Sequence, residues 1–186
     1  MTSLHYKGII GQLQLIREDS AHQEGRLATE DSSAAQGLTL HEDRAWGFRF
    51  RYPANWHRFT LLENRQGVLY APDPADFATS FSVEAKDLGT RITRADVPDL
   101  RDGFLEGVRS LPECRLLMET SWAIGNLIGL EAQYTFRESG CLRKRWVRLL
   151  YEGQRQFHVV AQGASPGEYE YRLPMLSEAM NSLEID

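Results

Sequence analysis

The chain predicts an α+β fold with a central antiparallel sheet of about six or more strands flanked by helices, and three observations carry that prediction. Apolar and polar residues alternate through Gly47–Tyr52 (GFRFRY) and again at Phe81, Val83 and Ala85, as half-buried strands require. The period then changes to three and four residues at Val97, Leu100, Phe104, Leu105 and Val108, which marks one helix. Strands resume afterwards in an unbroken run instead of alternating with helices, an order that fits an α/β/α sandwich on an antiparallel sheet.

Residues 4–17 fit a helical face (Tyr6, Ile9, Ile10, Leu13, Ile16) and also a strand alternation at Leu13 and Leu15, so both readings stand. Residues 18–37 hold Leu27 as their single large aliphatic, too little apolar surface to offset chain entropy. Residues 1–37 are therefore expected to be an N-terminal arm and polar linker, and residues 38–186 the folded domain. Within it, Pro53 ends the GFRFRY strand, and strands are predicted at Trp56–Leu62, Gly67–Ala71 and Ser80–Asp87. Asp73 and Asp76 in the PDPAD segment are expected to stabilise a turn, since they lack the oxygen spacing of a calcium loop. Thr93 and Asp96 form a T-x-x-D cap for the helix, and Pro112 closes it. Strands follow at Arg115–Ile124, Leu127–Arg137, Leu142–Tyr151 and Gln156–Gln162. Ser165-Pro166-Gly167-Glu168 is a capping box with proline at the first helical position, opening a C-terminal helix in which Pro174 predicts a kink or a late start.

A net charge of −5 over 186 residues repels phosphate backbones, so no nucleic-acid partner is expected. No stretch reaches the ~20 apolar residues of a membrane span. Lys7, Gly8, Gly11 and Gln12 interrupt any export-type apolar run, so a cytoplasmic protein is expected. Cys114 and Cys141 are compatible with free thiols or with a single bridge, and five histidines on separate segments offer no metal-ligand spacing. The nucleophile-elbow, zincin, P-loop, C-x-x-C and dinucleotide motifs are absent. The chain is thus expected to be no enzyme and to hold no cofactor or metal. The basic string Arg143-Lys144-Arg145 with Arg148 is split by the strand period across two faces, with Arg143 and Arg145 stacking on Phe136 and Tyr134.

Register sharpens the picture. A turn at Ser139-Gly140 sets Phe136 opposite Arg143, Tyr134 opposite Arg145, Ala132 opposite Val147 and Leu130 opposite Leu149, all on the core side. A three-residue loop Glu152-Gly153-Gln154 would then align Glu131, Arg148 and His158 in one row of the reverse face, with Gln133, Trp146 and Val160 in the next. Glu131, Gln133, Trp146, Arg148 and His158 are the candidate partner-binding residues, because tryptophan and arginine supply large oriented contact area. The competing reading makes Glu131–Arg148 a cross-strand ion pair and puts Trp146 under a helix or the arm. A further alternative is a small-molecule pocket between the sheet and the Leu100–Val108 helix, lined by Phe104 and Trp122. The least supported is an enzyme using His158 with Glu131 as a general base pair.

The segment Trp46–Trp56 (WGFRFRYPANW), a strand ending in Y-P-x-x-W, followed by the PDP loop at 72–74, one central helix, a run of antiparallel strands and a closing helix, resembles the PsbP-like superfamily over residues 38–186. That superfamily includes the photosystem subunit PsbP, the eukaryotic Ran-release factor and DcrB-type bacterial lipoproteins. The resemblance implies a sheet sandwiched between helices and a non-enzymatic accessory or binding scaffold, with chaperones of secreted effectors among its cytoplasmic bacterial relatives. The function expected is a protein-binding or chaperone-like module that uses an exposed sheet face or groove. Its partner is another protein, and self-association as a homodimer is compatible with such a surface.

Overall fold

The computed structural model describes residues 37–61 and 65–186, together with the backbone of Leu15–Arg17. The strands are β1 (Leu15–Arg17), β2 (Leu38–Asp43), β3 (Phe48–Pro53), β4 (His57–Leu61), β5 (Gln66–Ala71), β6 (Ser80–Asp87), β7 (Arg115–Ile124), β8 (Leu127–Glu138), β9 (Cys141–Glu152), β10 (Arg155–Gly163) and β11 (Glu184–Ile185). The helices are α1 (Val97–Arg109) and α2 (Pro166–Asn181). Eight strands form one sheet in the order β1-β4-β5-β6-β10-β9-β8-β7, and every pairing is antiparallel. A second sheet has the order β11-β3-β2.

The connection through α1 carries the chain from β6 to the far edge, where β7 starts a meander that returns until β10 lies against β6. Thr93 opens this connection: its amide and hydroxyl both donate to the Asp96 carboxylate, at 2.8 and 2.7 Å, ahead of a short 3-10 turn. Phe104, Leu105 and Val108 of α1 then fall on one helical face and bury against Ile128, Leu130, Ala132, Val147 and Leu149.

The other face of the large sheet carries a second interior. Phe81, Val83, Phe157, Val159, Ala161 and Leu150 pack there against Tyr169, Leu176, Ala179 and Met180 of α2 and against Phe48 and Phe50 of β3. Aromatic contacts fasten the small sheet: the Phe50 and Phe81 rings lie 4.9 Å apart, Phe48 meets Phe157 edge-on at 6.0 Å, and Tyr52 stacks on Tyr70 at 3.8 Å. His41 of β2 is buried among these rings, its Nδ1 3.0 Å from the Tyr70 hydroxyl. Arg155 closes the arrangement by donating to the Trp46 carbonyl at 2.8 Å. The sheet is thus sandwiched between α1 on one side and α2 with the small sheet on the other, as predicted.

Several expectations are met in detail. Ser165 Oγ accepts the Glu168 amide at 3.1 Å and α2 begins at Pro166, so the start is not delayed by Pro174, which sits inside the helix. Asp73 and Asp76 accept the Ala75 and Ala78 amides at 2.8 Å, as turn-forming aspartates do. The thiols of Cys114 and Cys141 are free. Of the segment left open between helix and strand, Leu15–Arg17 is strand β1, paired with β4, while residues 4–14 lie outside the described residues. Strands β2 and β11 were not foreseen. In β2 the leucines Leu38 and Leu40 face outward and are 47% and 57% exposed, while His41 faces in, which inverts the usual apolar pattern.

One glycine is needed for a side chain across the strand. Gly129 of β8 pairs with Trp122 of β7, and a Cβ at Gly129 would lie 2.3 Å from the Trp122 ring. Gly129→Ala should therefore lower stability by about 1–3 kcal/mol through overpacking, read as a shifted midpoint in urea denaturation. An unchanged midpoint would show that the indole lies elsewhere.

Candidate functional site

The β8–β9 hairpin has the predicted register. Ser139 and Gly140 take φ of 49° and 81°, the left-handed pair a two-residue turn of the I′ type requires. Glu131 accordingly faces Arg148, and Gln133 faces Trp146. The next hairpin departs from expectation. Glu152 pairs with Arg155, so the loop is Gly153-Gln154 alone, and Gly153 at φ 63° fills the first central position of that two-residue turn. Dropping one residue from the loop reverses the parity of β10. His158 pairs with Leu149 and stands on the α1 side of the sheet, away from Glu131 and Arg148; Val160 moves with it. The row of Glu131, Arg148 and His158 does not exist, and neither does a His158–Glu131 base pair.

His158 lies beside Glu84 across β6, and Glu84 is held by Arg65, whose Nε donates at 2.8 Å. Burial drives the His158 pKa down from 6.5 to about 4, with the Arg145 and Arg65 charges adding to the shift and Glu84 opposing it. Burial also lowers His41, assisted by Arg58 and resisted by Asp43.

Glu131, Trp146 and Arg148 form a closed network beneath α2. The Trp146 indole Nε1 donates to Glu131 Oε1 at 2.8 Å, Arg148 Nε donates to Glu131 Oε2 at 2.8 Å, and Arg148 Nη1 donates to the Met180 carbonyl at 2.7 Å. The guanidinium also stands 5.5 Å from the Trp146 ring. Met180 is in the last turn of α2, where helix carbonyls lack internal partners and a cation is favoured. Glu131 and Trp146 are 7% and 8% exposed, so the second reading of this row, an ion pair with Trp146 under a helix, describes the geometry.

The open part of this face is one strand further out. α2 packs on β10, β9 and β3. Beyond it, the α2 sides of β8 and β7 present Gln133, Met118, Thr120, Trp122 and Ile124. Trp122, Met118 and Gln133 are half-buried, Thr120 is exposed and Ile124 is 73% exposed. The Trp122 indole lies over Gly129, so the floor of this shelf is one broad aromatic plane. β7 is the terminal strand of the sheet, so a backbone edge borders the shelf. Of the five residues singled out from sequence, Gln133 lines the shelf, Glu131, Trp146 and Arg148 lie under its α2 wall, and His158 is on the opposite face. Thr120 and Met118 were missed as binding residues, and Trp122 was assigned to a pocket under α1 instead of to this shelf, although the alternation of Met118, Thr120, Trp122 and Ile124 on one strand could have marked them. Trp122 faces away from Phe104, so the two cannot line one pocket under α1.

Chemically the shelf offers apolar contact, one amide side chain and a strand edge. Among the described residues no group of three His, Cys, Asp or Glu side chains could hold a metal ion, and no helix is long and apolar enough to cross a membrane.

No family model matches the chain, and no curated protein matches its sequence. Solved structures do match. The solution structure of the cyanobacterial PsbP protein CyanoP from Synechocystis sp. superposes with a TM-score of 0.58 at 12% identity, covering 87% of this chain and all of that one. The chain has the PsbP-like fold. A Pseudomonas aeruginosa protein of unknown function, PA94, described as a putative regulator, gives a TM-score of 0.54 at 15% identity over 80% of this chain and 97% of its own. LpqN of Mycobacterium tuberculosis, involved in cell envelope biogenesis, gives 0.51 at 14% identity over 94% and 90%. At such identities the likeness establishes the PsbP-like architecture and leaves activity to be argued from this chain's own surface.

Two outcomes follow from this geometry. Arg148→Met strands a buried carboxylate and frees the end of α2, and should destabilise the protein by about 3–5 kcal/mol; adding Glu131→Gln should recover much of that loss, and a single variant with wild-type stability in guanidinium would refute the network. Burial disfavours the charged form of both His41 and His158 in the fold, so the stability tied to them is complete above the unfolded value of 6.5 and is lost as pH falls below it, for His158 down to about 4. Thermal melts should show this decline, and His158→Gln should flatten it; equal slopes for both proteins would count against it.

Proposed function

We propose that this PsbP-like chain is a non-enzymatic accessory module that binds another protein on the shelf between α2 and β7. The observation that carries the reading is the incomplete cover of Trp122, Met118 and Gln133 beside a sheet centre that is packed on both faces. Half-buried tryptophan and methionine beside an amide give a surface that is apolar at its centre and hydrogen-bonding at its rim, the composition of protein interfaces. Glu131, Trp146 and Arg148 serve this reading as positioning residues, since they hold α2 as the wall of the shelf. Gln133 is the predicted residue that would touch the partner. We assign the role to residues 38–186, the unit the sequence marks as the domain. A putative regulator and a protein of envelope biogenesis name no common reaction among the structural neighbours, which agrees with a scaffold adapted to different partners.

The test is a photo-crosslinking amino acid placed at Gln133 in the host cell, with the same residue at Asp102, an exposed position of α1, as control. The expected result is a covalent adduct with a different polypeptide from position 133 and not from 102, abolished by Thr120→Arg. No adduct from positions 133, 120 or 118, or the same adduct from the control, would overturn the reading.

A further inference from the structure

β7 ends the large sheet, and edge strands that stay solitary are guarded by lysines, prolines, bulges or extreme shortness. β7 is ten residues long and carries one such device, a register shift between Leu116 and Met118. Past that bulge the strand runs regularly through Met118-Glu119-Thr120-Ser121-Trp122-Ala123-Ile124, with no lysine, no proline and a single charge.

We infer that β7 pairs with β7 of a second copy of this chain, antiparallel across Met118–Ile124, with Ser121 on the two-fold axis. This goes beyond the binding of another protein and stands or falls without it. The bulge selects the axis, because the regular run has seven residues and Ser121 is its midpoint. On the α2 face this register sets Met118 opposite Ile124 of the second copy and Thr120 opposite Trp122 of the second copy, so the most exposed apolar side chain of the strand gains an apolar neighbour. On the α1 face it sets Glu119 opposite Ala123 of the second copy. Glu119 is already paired with Arg101, and in this register no charge meets its like. The run is complementary to itself, which favours a second copy over an unrelated strand, and the contact is isologous and closes as a dimer. The two shelves then lie side by side across a sheet of doubled width.

Ser121 is exposed, so charge can be placed at the axis without disturbing the interior. Sedimentation equilibrium would compare the wild-type chain, Ser121→Lys, Ser121→Glu and an equimolar mixture of the two variants, each checked for wild-type far-UV circular dichroism. Dimers are expected for the wild type, a dissociation constant raised at least ~10-fold for either variant alone because like charges face each other, and recovery of the dimer in the mixture. A wild-type chain that stays monomeric up to about 1 mM, single variants that associate like the wild type, or a mixture that stays monomeric would each overturn the inference. Should a Ser121 variant fail to fold, Ile124→Lys replaces it, and an undiminished dimer there would overturn the inference equally.

Discussion

Burial of the central strands on both faces is the constraint on which everything else depends. Along the middle of β8, β9 and β10 both faces are interior: Leu130, Ala132, Val147 and Leu149 look toward α1, while Trp146, Leu150, Phe157 and Val159 look toward α2 and the small sheet. A strand in that position cannot slip by one residue without exchanging two well-packed sets. Polar groups that fall on such strands must find partners inside, and Glu131 does so through Trp146 and Arg148. The half-covered surface lies further out, on the α2 side of β7 and β8, beyond the strands on which α2 packs.

The same two-sided burial explains which parts were legible in the sequence. The β8–β9 register could be derived because Ser139-Gly140 admits only a tight turn and because Phe136 and Tyr134 demand cover. The β9–β10 register could not, because Phe157-His158-Val159-Val160 is apolar enough to satisfy either parity once both faces are interior. Only the position of Gly153 within its turn decides between them, and that position is a matter of backbone dihedrals. Helices α1 and α2 were plain from period and caps. β2 was hidden because its outward leucines and inward histidine contradict the expected polarity, and β11 because two residues carry no period at all.

The candidate site shows a related limit. Trp146 drew attention as an aromatic beside charges, yet those charges are its internal partners and its face is covered. Trp122 lacks charged neighbours on its own strand face, and its exposure depends on how far α2 extends across the sheet. That extent follows from the long-range contacts of Tyr169, Leu176 and Met180 with β3, β9 and β10, which local periodicity does not encode.

The path of the chain across the sheet has a consequence for how the protein assembles. β4 to β6 form one ribbon of neighbouring hairpins, and β7 to β10 form another, while the seam between them joins β6 to β10 across about seventy residues of intervening chain. Each ribbon can zip from its own turns, but the seam must wait until α1 has spanned the second ribbon. Only after β10 has docked does α2 find both its floor on β9 and β10 and its lateral support on β3. Strand β10 therefore both joins the two ribbons into one body and supplies floor for the helix that forms the wall beside Trp122.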